Sequence, residues 1–352
     1  MTPREFKELA KKGEWPVLRN PCPITNRHVP YLDPTTISIV SALSSGGKTS
    51  FSKYWMFQYV EDALKNGTKL KILWLALEES AEQFIYSVKS YLLGKRGFDL
   101  NMADMMCITI DEHGSRRILT EEEVQAIEDI EPELKDFMNI IELKVFNDEY
   151  NPANPTGVYK WLREKALEYG AFYRDGKKVS REDVLKGSSS TEGYLTYEKD
   201  RYVIVVVDNV NNLKGEGNLN EKQVIRKFVG NYCNSIVTKL YKFHVMLLQQ
   251  QWKTSMGLEH IEARHIYPTM DGLAVDKDTG NDCRLCIGIT DPFEHERIYS
   301  WPRTKTFQRE QWKDKFRVLS IPKNTLFGAR ITTEDKMIPL FFEAKKVKFT
   351  KL

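Results

Sequence analysis

The sequence predicts an α/β fold in which a mostly parallel sheet is covered by helices on both faces. Continuous apolar segments, which are typical of strands buried on both sides, alternate along the chain with segments of helical periodicity. In the last third the apolar segments become shorter, which predicts an antiparallel extension; these segments read CRLCIGIT, FRVLSI and MIPLFFE. At 352 residues and 41% apolar content the chain can bury one substantial core or two small ones, and we expect one large domain with a short appendage.

The appendage is an arm that precedes the domain. Residues 4–12 have the periodicity of a short amphipathic helix, and a stretch punctuated by prolines follows them. Such a stretch cannot hold regular structure for long. We therefore expect residues 1–32 to form an N-terminal arm or linker helix and residues 33–352 to form the domain.

The domain alternates strands and helices in a regular order. The first strand, ISIVSA from Ile37, is followed by a loop and by a helix that ends at a glycine. The later predicted strands of this series are KILWLAL, IIELKVF, RYVIVVVDNV and HVMLLQQQ. The later predicted helices are SAEQFIYSVKSYLLGK, TGVYKWLREKALEYG and EKQVIRKFVGNYCNSIVTKLYKF.

Two segments interrupt this order. Residues 98–138 are acidic and rich in Met, and residues 171–200 are polar and contain a serine tract. Polar segments between regular elements usually run over the surface of a domain. We therefore expect residues 171–200 to be an exposed insertion, a hairpin with a mobile tip.

Composition limits the class of protein. The five cysteines are odd in number and scattered, which argues against a disulfide framework. Cys283 and Cys286 have the spacing of a metal site, but they lie in an apolar run without a second pair, which favours a buried strand over zinc. Because no run of about 18 apolar residues and no secretory apolar region occurs, we expect a cytoplasmic protein with no membrane span. The net charge of +3 permits a nucleic-acid partner without requiring one.

The segment SALSSGGKTS, residues 41–50, has the chemistry of a phosphate-binding loop. Such a loop needs backbone N–H groups that converge on phosphate at a helix N-terminus, a lysine for the outer phosphates and a hydroxyl for Mg²⁺. The segment stands between an apolar strand and a helix, as this chemistry requires, although Ala42 stands where the usual pattern begins with glycine. A chance turn is the alternative. The candidate nucleotide-binding residues are Ser44, Ser45, Gly46, Gly47, Lys48, Thr49 and Ser50.

Three further strands carry polar residues at their carboxyl ends, where ligands bind in open α/β sheets. Asp208 ends RYVIVVVDNV and can hold Mg²⁺ with Thr49, although an acid that only caps the strand is the alternative. Glu78 and Glu79 follow KILWLAL, and each can accept a proton from an attacking water or belong only to the acidic first turn of a helix. HVMLLQQQ ends in three glutamines, which can sense a γ-phosphate or lie at a surface edge.

These four pieces, in this order, resemble the RecA-like motor domain of DnaB-type replicative helicases, most closely the phage-encoded members. In that family the phosphate loop reads alanine, four residues and then GKT, which ALSSGGKT matches at Ala42. The resemblance implies ATP and Mg²⁺ as cofactors. It puts the catalytic glutamate on Glu78, with Glu79 a bystander, the Mg²⁺-associated aspartate on Asp208 and the γ-phosphate-sensing glutamine on Gln250.

The resemblance also implies a loop that contacts DNA. Residues 252–281 are similar to the family's loop that faces the central channel. Lys253, Arg264 and Lys277 are candidates there for salt-sensitive contacts to the phosphates of single-stranded DNA. Ordinary surface charge is the alternative for each of them.

The end of the chain resembles the closing hairpin of the family. In that hairpin a lysine-asparagine-arginine run supplies the arginine that reaches the γ-phosphate of a neighbouring subunit. Here Lys323 and Asn324 match, but Thr325 stands in place of the arginine. Arg330, five residues further on, is the candidate substitute.

The combined pattern predicts an ATP hydrolase with a RecA-like P-loop core. The first hypothesis is a DnaB-type DNA helicase, a hexameric ring that translocates on single-stranded DNA and unwinds duplex during replication, with a primase or loader as a further partner. The host cytoplasm is its expected location if a phage encodes it. The alternative, which Thr325 and the short arm favour, is a RecA-like DNA-binding ATPase that is not a helicase: a recombination mediator, loader or regulatory switch. A structural protein with a relic nucleotide site is the third, against which the intact Lys48, Thr49 and Glu78 argue.

Overall fold

The computed structural model of the chain describes residues 18–110, 114–146, 153–186, 193–252, 266–295, 297–302 and 306–352, with the single positions 4, 8 and 259. Apart from two positions, the helix expected at residues 4–12 lies outside this part of the chain. Within the described residues the strands are β1 Leu18–Arg19, β2 Tyr31–Leu32, β3 Ile37–Ala42, β4 Leu70–Ala76, β5 Ile141–Val145, β6 Gly170–Arg174, β7 Lys177–Lys178, β8 Gly193–Thr196, β9 Tyr202–Asp208, β10 His244–Gln250, β11 Leu285–Thr290, β12 Ser300–Trp301, β13 Phe307–Gln308, β14 Phe316–Asn324, β15 Ile338–Glu343 and β16 Lys348–Lys351. The helices are α1 Lys48–Asn66, α2 Ala81–Lys95, α3 Met102–Met105, α4 Glu121–Asp129, α5 Glu131–Ile140, α6 Pro155–Tyr169, α7 Arg181–Lys186, α8 Glu221–Arg226, a π-helix Lys227–Val237, α9 Thr279–Asp282 and α10 Arg309–Trp312.

Nine of these strands form one central sheet, in the order β16, β15, β14, β11, β3, β10, β9, β4, β5. The strands from β11 to β5 run parallel to one another. β14, β15 and β16 continue the sheet in antiparallel fashion beyond β11. The fold class expected from the sequence is therefore confirmed: a mostly parallel sheet with helices and a C-terminal antiparallel extension.

Two hydrophobic layers cover the parallel strands, one on each face. The first layer contains Phe51 and Trp55 of α1, and the second contains Trp161 of α6 and Phe228 of the π-helix. Along β3, β4, β9 and β10 the even-numbered apolar side chains belong to the first layer and the odd-numbered ones to the second, apart from the ends of the strands. This period of two means that an even-numbered residue at the carboxyl end of these strands lies on the face of α1.

The polar segment 171–200 is an insertion that is anchored to the domain. β6 and β7 form a hairpin through Asp175 and Gly176, and β8 pairs with the other edge of β6. Phe172 of β6 is buried, with its ring edge-on to Tyr241 at 5.4 Å between centroids. The expected hairpin is present, but the segment is not wholly exposed, because its first strand has apolar side chains to bury.

The long helix predicted from Glu221 onwards changes geometry partway. Its first six residues form α8, and the π-helix then continues to Val237. Phe228 and Cys233 of the π-helix are fully buried against the second face of the sheet. Long π-helical segments are uncommon, and a pattern of apolar residues along the sequence does not distinguish them from an α-helix.

All five cysteines are free thiols. Cys283 and Cys286 are buried in the second layer, as the prediction of a buried strand requires, and burial raises the pKa of both thiols. In the described residues there is no helix with both the length and the apolar character needed to cross a membrane.

Candidate nucleotide site

The loop between β3 and α1 leaves the N-terminus of a 19-residue helix open. Gly47, the residue before α1, has a left-handed φ of 99°, which favours glycine. A Cβ at Gly46 would lie 3.0 Å from the Cβ of Ala42 and 3.1 Å from the carbonyl oxygen of Leu43. Within the described residues no side chain caps α1 at Gly47, and the first turn carries no acidic residue. The N–H groups of that turn are therefore available to an anion.

The other residues of the predicted loop fit this geometry. Ala42 is the fully buried last residue of β3, and an extended strand residue needs no glycine. Ser44 and Ser45 are exposed at the tip of the loop, and Ser50 lies half-buried in the first turn of α1. The alanine that departs from the usual pattern therefore costs the loop nothing.

Lys48 and Thr49 begin α1 and reach the ends of two other strands. The side chain of Lys48 is 8% exposed, and its Nζ lies 3.6 Å from Oε2 of Glu78, which follows β4. Oγ1 of Thr49 donates a hydrogen bond of 3.1 Å to Oδ1 of Asp208, the last residue of β9. Because β9 is hydrogen-bonded to β4, the fold brings together four side chains that the sequence predicts in three separate segments.

Asp208 is buried among acidic neighbours. Burial, followed by the negative charge of Glu79, raises the pKa of Asp208 to about 7, and Lys48 opposes this shift. A cation at this position would favour the ionised carboxylate, because it would offset both causes.

The donor set fits Mg²⁺ with a nucleotide. Within the described residues no group of three or more His, Cys, Asp or Glu can hold a metal ion by itself. Mg²⁺ needs no such group, because it binds through one or two carboxylates and completes its shell with phosphate oxygens and water. The hydroxyl of Thr49 and the carboxylate of Asp208 lie beside the open N–H groups of α1, where those phosphate oxygens would be.

The two adjacent glutamates after β4 have different environments. Oε2 of Glu79 accepts a 2.6 Å hydrogen bond from Nζ of Lys53, and the two side chains are 14% and 6% exposed. Lys53 also donates to Oγ of Ser87, so its charge is held inside the fold. Glu78 is 32% exposed and faces Lys48. Of the two carboxylates, that of Glu78 is the one at the open edge beside the phosphate loop.

The three glutamines that end β10 also differ. Gln249 is buried, and its Nε2 donates to the carbonyl oxygen of Ala274 at 2.9 Å. Gln251 is buried too, and its Nε2 donates to Oγ of Ser41 at 2.7 Å. Gln250 is half-buried and, as an even-numbered residue of β10, lies on the face of α1. The outer two therefore hold the local structure together, and the middle one faces the candidate site.

Sequence reasoning missed three asparagines that follow Asp208. Nδ2 of Asn209 and Nδ2 of Asn212 both donate to Oε1 of Glu78, at 2.6 and 3.1 Å. Asn211 lies between them in a 3₁₀ turn, and the peptide bond from Asp208 to Asn209 is cis. The signal in the sequence was the run DNVNN at the carboxyl end of a buried strand, where amides are unusual without a polar contact to make.

Sequence reasoning also missed Arg317. A cavity of about 330 Å³ adjoins the phosphate loop at Ser45, and Arg317 and Asp291 line it as an ion pair of 2.7 Å. Nε of Arg317 lies 3.6 Å from the place that a Cβ on Gly47 would take. The cavity offers room next to the phosphate loop for the rest of a nucleotide. Arg317 comes from β14, and only the pairing of β14 with β11 brings it here.

The remaining predicted residues lie on the other face of the sheet. Lys277, Lys323 and Arg330 line one cavity of about 420 Å³. Lys323 pairs across the sheet with Cys286, which belongs to the second layer, and its Nζ donates to the carbonyl oxygen of Gly280 at 2.6 Å. The sheet therefore separates Lys323 from the phosphate loop of the same chain.

Two candidates for DNA contact, Lys253 and Arg264, lie outside the described residues. Lys277 is described and exposed, but the structure brings it together with the hairpin residues Lys323 and Arg330. Its contact with DNA stays a prediction.

Comparison with known proteins identifies the fold. No protein-family model matches the chain, and no curated protein matches it. The ATPase domain of a phage helicase matches 99% of the chain over 96% of its own length, with a TM-score of 0.63 and 12% identity. A DnaB-like replicative helicase, in a structure that describes its interactions with primase, matches 99% of the chain with a TM-score of 0.61 and 12% identity. The chain spans 65% of the length of that helicase. The resemblance noted in the sequence is thus confirmed for the fold, which is that of RecA-like helicase domains.

Proposed function

We propose that this chain is a Mg²⁺-dependent ATPase that works as a DnaB-type DNA helicase, in a ring that moves along single-stranded DNA. The observation that carries the proposal is the convergence of Lys48, Thr49, Asp208 and Glu78 at the open N-terminus of α1. These side chains are the set that phosphoryl transfer from a nucleotide to water requires: a cation, two Mg²⁺ ligands and a base. The shared fold of the two helicase structures supports the same conclusion.

The phosphate loop binds the triphosphate. The N–H groups of the first turn of α1 donate to the phosphate oxygens, and Lys48 adds a positive charge on the same side. Thr49 and Asp208 would hold Mg²⁺, which supplies charge neutralisation on the phosphates when it is bound. The cavity beside Ser45 and Arg317 takes the remaining part of the nucleotide.

Glu78 acts as the base. It accepts a proton from water while the water oxygen forms a bond to the γ-phosphorus and the bond from that phosphorus to the β,γ-bridging oxygen breaks, which yields ADP and inorganic phosphate. Glu79 is unsuited to this role because it forms a buried ion pair with Lys53. Gln250 lies on the same face as Glu78 and is placed to sense the γ-phosphate.

Lys323 and Arg330 act on the nucleotide of a neighbouring subunit. They cannot reach the phosphate loop of their own chain, because they lie on the opposite face of the sheet from α1. Cations in this place have a use in hydrolysis if a second copy presents its phosphate loop to them, as a ring of subunits does. This is the argument for a ring, in which single-stranded DNA passes the loop that carries Lys277.

A second function is favoured by one observation. Thr325 stands where the related helicases carry an arginine, and its Oγ1 donates to the backbone carbonyl oxygen of Arg284 at 3.1 Å. A threonine held in this way cannot neutralise charge at a neighbour's phosphate. If Arg330 does not replace the arginine, the protein is a slow DNA-binding ATPase that loads or regulates other proteins and does not unwind DNA.

The test is ATP turnover with and without single-stranded DNA, together with displacement of one strand from a forked duplex. We expect turnover that DNA stimulates in the wild type, weakened nucleotide binding in Lys48→Ala, and intact binding without turnover in Glu78→Gln. Strand displacement supports the helicase, and turnover without displacement supports the second function. Nucleotide binding that is unchanged in Lys48→Ala would remove the basis of both.

A further inference from the structure

The turn that follows β9 has a fixed orientation of its first amide side chain. Asn209 is fully buried, and its Oδ1 accepts a 2.8 Å hydrogen bond from the backbone N–H of Asn211. A backbone N–H can only donate, so the oxygen of the amide must face Asn211 and the NH₂ group must face the other way. That NH₂ group lies 2.6 Å from Oε1 of Glu78.

Asn212 gives Glu78 a second donor. Its Nδ2 lies 3.1 Å from the same Oε1, so two amides donate to one carboxylate oxygen. The other oxygen, Oε2, is the one that lies 3.6 Å from Nζ of Lys48, on the side of the phosphate loop. The geometry therefore gives the two oxygens of Glu78 different roles, one bound to the protein and one turned to the nucleotide.

The same turn is attached to the glutamine strand. Oδ1 of Asn211 accepts from the backbone N–H of Gln250 at 3.0 Å, and its Nδ2 donates to the carbonyl oxygen of Ala274 at 3.3 Å. Residues 209–212 thus connect Glu78 to the end of β10 and to the loop beyond it. A displacement of that loop would be transmitted to the amides that hold Glu78.

We propose that Asn209 and Asn212 are positioning residues for hydrolysis, which hold Oε1 of Glu78 so that Oε2 meets the attacking water. The proposal rests on the function proposed above, in which Glu78 is the base. Glu78 needs this support because it lies beyond the end of β4, is 32% exposed and is free to turn about several bonds. Neither asparagine touches the substrate, so their effect must pass through the carboxylate.

The experiment is a double-mutant cycle between Asn212→Ala and Glu78→Gln, with single-turnover ATP hydrolysis and nucleotide binding as readouts. Hydrogen bonds to a charged group contribute enough that we expect the asparagine variant to lower the hydrolysis rate about tenfold, with unchanged nucleotide affinity. In the Glu78→Gln background the same change should lower the residual rate no further, because the oriented carboxylate is already gone.

Two more variants support the interpretation of this cycle. Asn218→Ala is the matched control, since Asn218 is an exposed asparagine in the loop that follows the same turn, and its hydrolysis rate should equal that of the wild type. Asn209→Ser tests the buried member, because a serine hydroxyl can still accept from the N–H two residues on but is too short to reach Glu78. It should lower the rate without changing nucleotide affinity.

The outcomes separate the proposal from the function beneath it. Wild-type rates in both asparagine variants, or an equal loss in the Glu78→Gln background, would overturn the positioning role while Glu78 stays the base. A wild-type rate in Glu78→Gln itself would overturn the assignment of the base, and the positioning role with it. A loss that occurs only when Glu78 is present supports the proposal.

Discussion

Changing the adjacent glutamates to glutamine one at a time should separate stability from hydrolysis. Glu79→Gln removes the negative partner of Lys53, whose side chain is only 6% exposed and whose Nζ lies 2.6 Å from Oε2 of Glu79. Breaking a buried ion pair by removing one partner costs about 3–5 kcal/mol, because the other charge stays buried. The hydrogen bond from Lys53 to Ser87 persists, so we expect a loss of about 3 kcal/mol in the free energy of unfolding.

Hydrolysis should follow the opposite order. Glu79→Gln removes a negative charge that raises the pKa of Asp208, so the folded variant keeps the ionised aspartate and its turnover. Glu78→Gln leaves the fold intact, because its side chain is partly exposed and an amide can occupy the same place. Turnover should fall by about 10² to 10⁴, the usual contribution of a general base.

The assay is urea unfolding, followed by the fluorescence of the buried Trp55 and Trp74, in parallel with ATP turnover at low temperature, where both variants are folded. The double variant Lys53→Met with Glu79→Leu is the control, since an apolar pair should regain most of the lost stability. A Glu79→Gln protein as stable as the wild type, or turnover lost in Glu79→Gln and kept in Glu78→Gln, would refute the reasoning.

Two further predictions concern pH and the neighbouring subunit. Burial lowers the pKa of His244 to about 4, although its Nδ1 bonds the carbonyl oxygen of Asp33, so the unfolded chain binds a proton near pH 6.5 that the folded chain does not. Stability should therefore be complete above that pH and fall by about 3 kcal/mol as the pH drops to 4, and urea midpoints of His244→Gln should show less of this dependence. Lys323→Ala and Arg330→Ala should bind ATP normally but hydrolyse it more slowly, by up to about 10³-fold, and Arg330→Ala mixed with Lys48→Ala should regain turnover that neither has alone. A mixture without such recovery would argue against action on a neighbour's nucleotide.

The sequence alone was enough to predict the fold class and the place of the phosphate loop. Both depend on local patterns: apolar runs of strand length, helical periodicity, and a loop whose glycines, lysine and threonine stand within a few residues of one another. Ala42 fitted the loop because it is still a strand residue. The arrangement of Asp208 and Gln250 followed from alternation along strands, which sequence also encodes.

Which glutamate is the base could not be read from residues alone, because Glu78 and Glu79 are neighbours with the same chemistry. Their difference arises from contacts with Lys53 of α1 and with Asn209 and Asn212 beyond β9, up to 134 residues away along the chain. Such contacts depend on which strands are adjacent in the sheet, and a single sequence does not encode strand order locally.

The same reason explains the other differences. Arg317 stands beside the phosphate loop, and Lys323 stands on the far face of the sheet, although the two are six residues apart in one strand. The antiparallel pairing of β14 with β11 decides both positions, since it sets which end of β14 meets the loop and which face each side chain takes. The sequence by itself thus determined the elements and the chemistry at their ends. The tertiary structure decided which of those ends meet, because strand order and register are properties of the assembled sheet.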